Sequence, residues 1–172
     1  ALIAESFVET NAARTEIDAT GVTISGRADR IDSLKSGGID IIDYKSSKSP
    51  SAGSAASLLN PQLALEAALA RRGAFRQAGP KSVEGLYYYR LLSKGEIKLD
   101  RIKTGDEDGG ADALGEKAWT RLVKLVASFN NPATPYASHV LPPVYADNDY
   151  DHLARVLEWS AGNEDAEDAP DA

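Results

Sequence analysis

Two short stretches carry the residues best suited to chemistry. The first is Gly26-Arg27-Ala28-Asp29 and the second is Ile42-Asp43-Tyr44-Lys45. Asp43 and Lys45 are two positions apart in a β-branched run, so strand geometry puts both side chains on one face and turns Ile42 and Tyr44 to the other. Two carboxylates brought together are hard oxygen ligands of the kind Mg²⁺ or Mn²⁺ takes. A cation there would polarise a phosphate oxygen and acidify a bound water, and a lysine alongside would steady the developing charge. In outline this is chemistry for hydrolysing a phosphodiester. The competing reading is a strand ion pair of little energetic consequence. Ile39, Ile41 and Ile42 argue against it, because they mark a buried strand in which a charge without a purpose is costly.

These residues must be positioned by a hairpin. Val22 and Ile24 alternate with Thr23 and Ser25, which predicts a strand over residues 22–31, preceded by a weaker strand signal over 7–17. Ser33 to Gly38 is a turn, and Ile39 to Lys45 is the return strand. A turn centred on Ser36 sets Asp29 opposite Asp43, with Cβ atoms about 5 Å apart. Asp32 has the other parity and is expected to face away. Residues 46–57, rich in Ser, Gly and Ala, read as a mobile loop. A helix follows, with Asn60 as N-cap, Pro61 in the first helical position and Gly73 as the stop. Val83 to Leu92 reads as a strand in which Tyr87, Tyr88 and Tyr89 serve the core, and residues 96–102 pair with it. Leu114, Ala118, Leu122, Leu125 and Phe129 trace the apolar face of a helix, with Lys117, Arg121 and Lys124 on its other side. A short helix is expected over residues 150–159 and disorder after Gly162. The order of elements predicts an α/β fold with a mixed sheet, not a doubly wound parallel one.

The bulk composition sets limits. The chain has 172 residues and 42% hydrophobic content, enough for one domain with a sizeable core. The formal charge is -7, unusual for a partner of nucleic acid, but Glu164, Asp165, Glu167, Asp168 and Asp171 concentrate acid in the last ten residues. There is no cysteine, which removes disulfides, thiolate metal sites and iron-sulfur ligation from this chain and fits a cytoplasmic location. No apolar run is long enough to span a bilayer, so no membrane role is expected. Lys45-Ser46-Ser47-Lys48 lacks the glycines of a phosphate-binding Walker loop. His139 and His152 have no partner at ligand spacing. Of the basic residues near the motifs, Arg27 and Lys48 flank the site and are the best candidates to contact DNA phosphates.

Gly26-Arg27-Ala28-Asp29-Arg30-Ile31-Asp32, then Ile41-Ile42-Asp43-Tyr44-Lys45-Ser46, then Pro61-Gln62-Leu63-Ala64-Leu65-Glu66-Ala67, resemble in order and spacing the RecB-like branch of the PD-(D/E)XK nuclease superfamily. Within that branch the pattern is similar to the C-terminal nuclease domain of the AddB family. Residues 150–160 resemble the end of alphaproteobacterial AddB. The resemblance implies a restriction-endonuclease-like core, a mixed β-sheet flanked by helices, over residues 1–160 of a longer protein, with 161–172 an acidic tail. It implies that Asp29, Asp43 and the Tyr44 carbonyl hold Mg²⁺ or Mn²⁺, that Lys45 is the catalytic lysine, and that Gln62 holds DNA or the active site. It further implies a DNA exonuclease that works with the AddA helicase-nuclease subunit on double-strand break ends during recombination. A nuclease-fold domain that binds DNA or its partner without cutting is the alternative. Many AddB proteins carry a cysteine-ligated iron-sulfur cluster around this domain, which a chain without cysteine does not share, and the pattern departs from the family in two further places. Many relatives carry a tyrosine where this chain has Glu66. The usual upstream His or Glu ligand has no counterpart in a helix here, since Glu5 and Glu9, the only acidic residues before the first strand pattern breaks down, sit in no convincing helix; that helix is expected upstream of Ala1.

Overall fold

The computed structural model describes residues 2–46, 50–92, 95–104 and 109–135. The chain divides into two units, 1–131 and 132–172. All the elements named below lie in the first, and only 132–135 of the second are described. Lys48, His139, His152, the helix expected over 150–159 and the tail lie outside the described residues.

The strands in chain order are β1 (Ile3–Asn11), β2 (Thr15–Glu16), β3 (Thr23–Ile24), β4 (Arg27–Leu34), β5 (Ile39–Lys45), β6 (Val83–Leu91) and β7 (Ile97–Arg101); the helices are α1 (Ala52–Ala56), α2 (Gln62–Arg71) and α3 (Gly110–Phe129). Five strands form one sheet in the order β1-β4-β5-β6-β7, and β2 pairs with β3 apart from it. β1/β4, β4/β5 and β6/β7 are antiparallel, whereas β5/β6 is parallel. A parallel neighbour cannot be reached by a tight turn. The chain covers that distance through α1 and α2, which brings α2 against the sheet. This is the α/β architecture with a mixed sheet and flanking helices that the sequence predicts.

The core lies between sheet and helices. Ile31, Ile39 and Ile41 pack with Leu63, Ala64 and Ala67 of α2, with Leu86 and Tyr88 of β6, and with Leu114, Ala118 and Trp119 of α3. The two helices meet closely at Gly115, where an added Cβ would stand 3.1 Å from the Ala68 nitrogen and 3.2 Å from the Ala64 carbonyl oxygen.

Several boundaries differ from expectation. The first strand is Ile3–Asn11 instead of 7–17. It is an edge strand with mostly exposed residues, so it carries little alternation to read. The strand expected over 22–31 is split at Ser25-Gly26, its halves belonging to different sheets. The loop expected over 46–57 contains α1, capped by the Ser51 hydroxyl accepting from the Ser54 amide at 3.0 Å. Pro61, not Asn60, is the N-cap of α2; the Asn60 amide instead donates to the Ser54 carbonyl at 3.2 Å. Gly73 does follow the helix, with φ +71°. Only Tyr88 of the three tyrosines is fully buried, while Tyr87 and Tyr89 alternate to the other face and are half-buried. On α3 the buried stripe runs Ala111, Leu114, Gly115, Ala118 and Trp119; Leu125 and Phe129 are exposed.

Candidate active site

The β4–β5 ladder pairs Arg30 with Ile42, Ile31 with Ile41, Asp32 with Asp40 and Ser33 with Ile39. This is the register that a turn centred on Ser36 requires. The ladder ends at Arg30–Ile42, so Asp29 and Asp43 are not a ladder pair. Instead the Asp29 carboxylate takes the next amide along, with the Tyr44 N–H donating to Oδ2 at 2.9 Å. Asp29 is thereby fixed to the backbone between Asp43 and Lys45.

Asp43 is 3% exposed. The Lys45 ammonium donates to its Oδ1 at 3.0 Å. The second oxygen, Oδ2, lies 2.8 Å from the same nitrogen but outside hydrogen-bonding geometry, and so is buried without a hydrogen-bond donor. Gln62, the first residue of α2, enters between them. Its amide nitrogen donates to Asp43 Oδ1 at 2.8 Å and to Glu66 Oε1 at 3.2 Å, while its oxygen accepts from Lys45 at 3.4 Å. The helix that the β5–β6 crossover lays on the sheet therefore supplies two site residues one turn apart.

Glu66 is 7% exposed, and its Oε2 has no hydrogen-bond partner. Burial pushes its carboxyl up to about 7; the Gln62 hydrogen bond pulls the other way, and the charges of Asp43 and Asp29 add to the rise. Tyr88, the ladder neighbour of Asp43 on β6, has a fully buried hydroxyl without a partner. Burial, assisted by the charges of Asp43 and Glu66, raises that hydroxyl to about 12, so it stays a neutral donor.

The opposite face has its own polar group. Arg30 grips Asp32 with two hydrogen bonds, at 2.7 and 2.8 Å, and Ser6 donates to the same carboxylate at 2.6 Å. Arg30 also reaches the Tyr44 hydroxyl at 3.4 Å, and the Tyr44 ring stands edge-on to Tyr89. Asp32 is thus occupied away from Asp43, as its parity predicts.

Asp29, Asp43, Lys45 and Gln62 are therefore brought together, with the Tyr44 amide tied to Asp29. Arg27 is engaged elsewhere, in an exposed pair with Glu9 at 2.8 Å. Glu9 and Glu5 belong to β1, not to a helix. The sequence leaves the part of Glu66 open and marks Tyr88 only as a core residue. The period of α2 placed Glu66 beside Gln62, but nothing in a linear sequence reveals which buried oxygens lack partners.

The donor set suits a hard divalent cation. It is all oxygen, it is anionic, and two of its buried carboxylate oxygens lack hydrogen-bond donors. Among the described residues, however, no three His, Cys, Asp or Glu side chains stand close enough together to enclose a metal ion directly.

The sequence profile of the PD-(D/E)XK nuclease superfamily matches residues 3–139. The chain belongs to the PD-(D/E)XK nuclease superfamily. Members of this superfamily generally use divalent metals. No curated protein matches the chain. A solved structure titled "Crystal structure of SSO0001" is similar at 20% identity, over 67% of this chain and 50% of that one, with a TM-score of 0.35. The chain thus spans half the length of that structure, and so slight a likeness carries no argument about function. Among the described residues, no helix of this superfamily member is long and apolar enough to cross a membrane.

Proposed function

We propose that this chain is the Mg²⁺-dependent DNA exonuclease domain of an AddAB-type helicase-nuclease, trimming double-strand break ends for recombination with AddA as its partner, in the cytoplasm. The observation that supports it most is the meeting of Asp29 and Asp43, from adjacent strands, with Lys45 beside them and Gln62 closing the group. The AddAB assignment rests on the sequence resemblance of the three motifs.

In this reading Asp29, Asp43 and the Tyr44 carbonyl hold the cation. When bound, the cation supplies Lewis-acid polarisation of the phosphate and a more acidic water. Lys45 is already fixed by Asp43 and Gln62, so its ammonium meets the charge that builds on the phosphoryl oxygens without first having to be ordered. Gln62 keeps Asp43 and Lys45 in register through one amide group. Tyr88 excludes water beneath the site. Arg27 and Lys48 serve the DNA backbone in this proposal, Arg27 by exchanging Glu9 for a phosphate.

That no three acidic or metal-ligating side chains among the described residues enclose a metal ion directly favours one rival: a domain that holds DNA or its partner without cutting it. The test is incubation of end-labelled linear DNA and closed circular DNA with the chain, Mg²⁺ or Mn²⁺, and a chelator control. An exonuclease degrades the linear DNA and spares the circle, and Asp43→Ala and Lys45→Ala abolish the loss. Retention of DNA on a gel with no cleavage, in the full-length parent as well, sinks the enzymatic reading.

A further inference from the structure

Glu66 is the one acidic side chain of α2 that lies in the core, and neither a basic partner nor a helix end accounts for it. It is 7% exposed, its Oε1 is held by the Gln62 amide at 3.2 Å, and its Oε2 is buried with no hydrogen-bond donor. A buried carboxylate oxygen without a donor is costly, and more so if charged, so it needs a compensating partner. Lys45, the nearest ammonium described, spends its hydrogen bonds on Asp43 and Gln62. Of the charges around Glu66, those of Asp43 and Asp29 oppose its ionisation and that of Lys45 favours it, each acid acting more strongly than the lysine. Adding another carboxylate beside two others is repulsive unless something cationic stands among them.

We propose that Glu66 is a third acidic arm of the cation site, with Oε2 holding a water of the hydrated ion. The inference rests on the nuclease reading above. Acting through water fits a set of acids of which no three enclose an ion directly among the described residues: Mg²⁺ surrenders its hydration shell reluctantly and is commonly held by one or two carboxylates directly. A further carboxylate then works by accepting hydrogen bonds from the ion's waters. Gln62 sets the reach of this arm. It holds Oε1 and Asp43 Oδ1 with the same amide nitrogen, so the unbonded oxygen of Glu66 and the Asp43 oxygen that is paired only electrostatically with Lys45 are positioned by one side chain. The Tyr88 hydroxyl, also lacking a partner, is the third buried polar atom of this group.

The readout is metal affinity without DNA. Mn²⁺ is titrated into the whole chain and the free ion is followed by electron paramagnetic resonance, for the parent, Glu66→Gln and Asp43→Asn. Glu66→Gln keeps the shape of the side chain and an oxygen for Gln62 to bond, so a purely structural Glu66 predicts unchanged affinity. The proposal expects a tenfold to hundredfold weaker Mn²⁺ dissociation constant in Glu66→Gln, and a smaller rise in Tm on adding Mn²⁺. Should Glu66→Gln not fold, Glu66→Asp retains the charge on a shorter arm and is expected to weaken Mn²⁺ binding as well. Unchanged Mn²⁺ affinity in the folded variant overturns the role of Glu66 and leaves the nuclease reading standing. Parent protein that binds Mn²⁺ no better than Asp43→Asn overturns both.

Discussion

The Tyr44 amide donates to Asp29 Oδ2 at 2.9 Å, which locks an acid of one strand to the backbone that carries Asp43 and Lys45 on the next. Asp29 therefore does two things at once. It stops the hairpin from splaying where its ladder ends, and it brings its own charge to the group around Asp43.

Replacing Asp29 should separate these two contributions. Asp29→Ala is expected to cut DNA cleavage by about a hundredfold or more, the scale seen when one preorganised electrostatic group is removed. The stability cost should be near 1 kcal/mol, because the half-exposed Tyr44 amide can turn to water instead. Single-turnover cleavage and urea denaturation measure the two. A large loss of stability with unchanged cleavage would show that Asp29 serves only the hairpin.

Lys45→Met should abolish cleavage and also destabilise the protein at neutral pH in chelator, by about 1–3 kcal/mol, since Asp43 loses its ammonium and keeps only Gln62. Mn²⁺ should restore part of that stability. Urea melts with and without the ion report it, and equal melts in all conditions would contradict the pairing.

Glu66 predicts a pH dependence. Its carboxyl is raised from the ordinary 4.5 to about 7, chiefly by burial, so the folded chain holds this proton more firmly than the unfolded chain. The resulting stability is complete below pH 4.5 and is lost as the pH rises to about 7. The full difference is worth roughly 3 kcal/mol. In chelator, Glu66→Gln should keep its stability through this window where the parent loses it. Parallel stability-pH curves for the two proteins would count against the assignment.

Gly115→Val should destabilise the fold by about 1–3 kcal/mol through overpacking, because Ala64 and Ala68 backbone atoms stand where the new side chain must go. The same change should lower cleavage in proportion to the unfolded fraction only, since α3 contributes no site residue. A variant as stable as the parent would mean that α2 and α3 can part more easily than their contact suggests.

Much of the site is legible in the linear chain because it rests on local rules. The turn at residues 33–38 and the two-residue period of the strands fix the β4–β5 register, and the same parity sends Asp32 to Arg30 on the other face. Where the ladder stops is not local, so the bond between Asp29 and the Tyr44 amide was hidden. Pro61 was expected one position inside the helix, but its backbone is not helical in the way a first-turn residue would be. α1 was missed because its Ala-Gly-Ser-Ala-Ala sequence has no apolar period; a Ser51 cap and long-range packing make it helical. The partnerless oxygens of Glu66 and Tyr88 depend on which strand lies beside β5. That neighbour, β6, arrives only after a crossover of more than thirty residues.

The placement of β4 and β5 inside the sheet has a kinetic consequence. Each is hydrogen-bonded on both sides, whereas among the described residues β1 and β7 each pair on one side only. Local opening should therefore begin at the rims, and amide protons of Ile31 and Ile41 should exchange with deuterium among the slowest in the molecule. Asp29 and Asp43 sit one position past the end of the ladder between these two strands, tied across it by the Tyr44 amide, so fraying of the outer strands under heat or mild denaturant should leave the proposed metal site assembled until β4 and β5 themselves part.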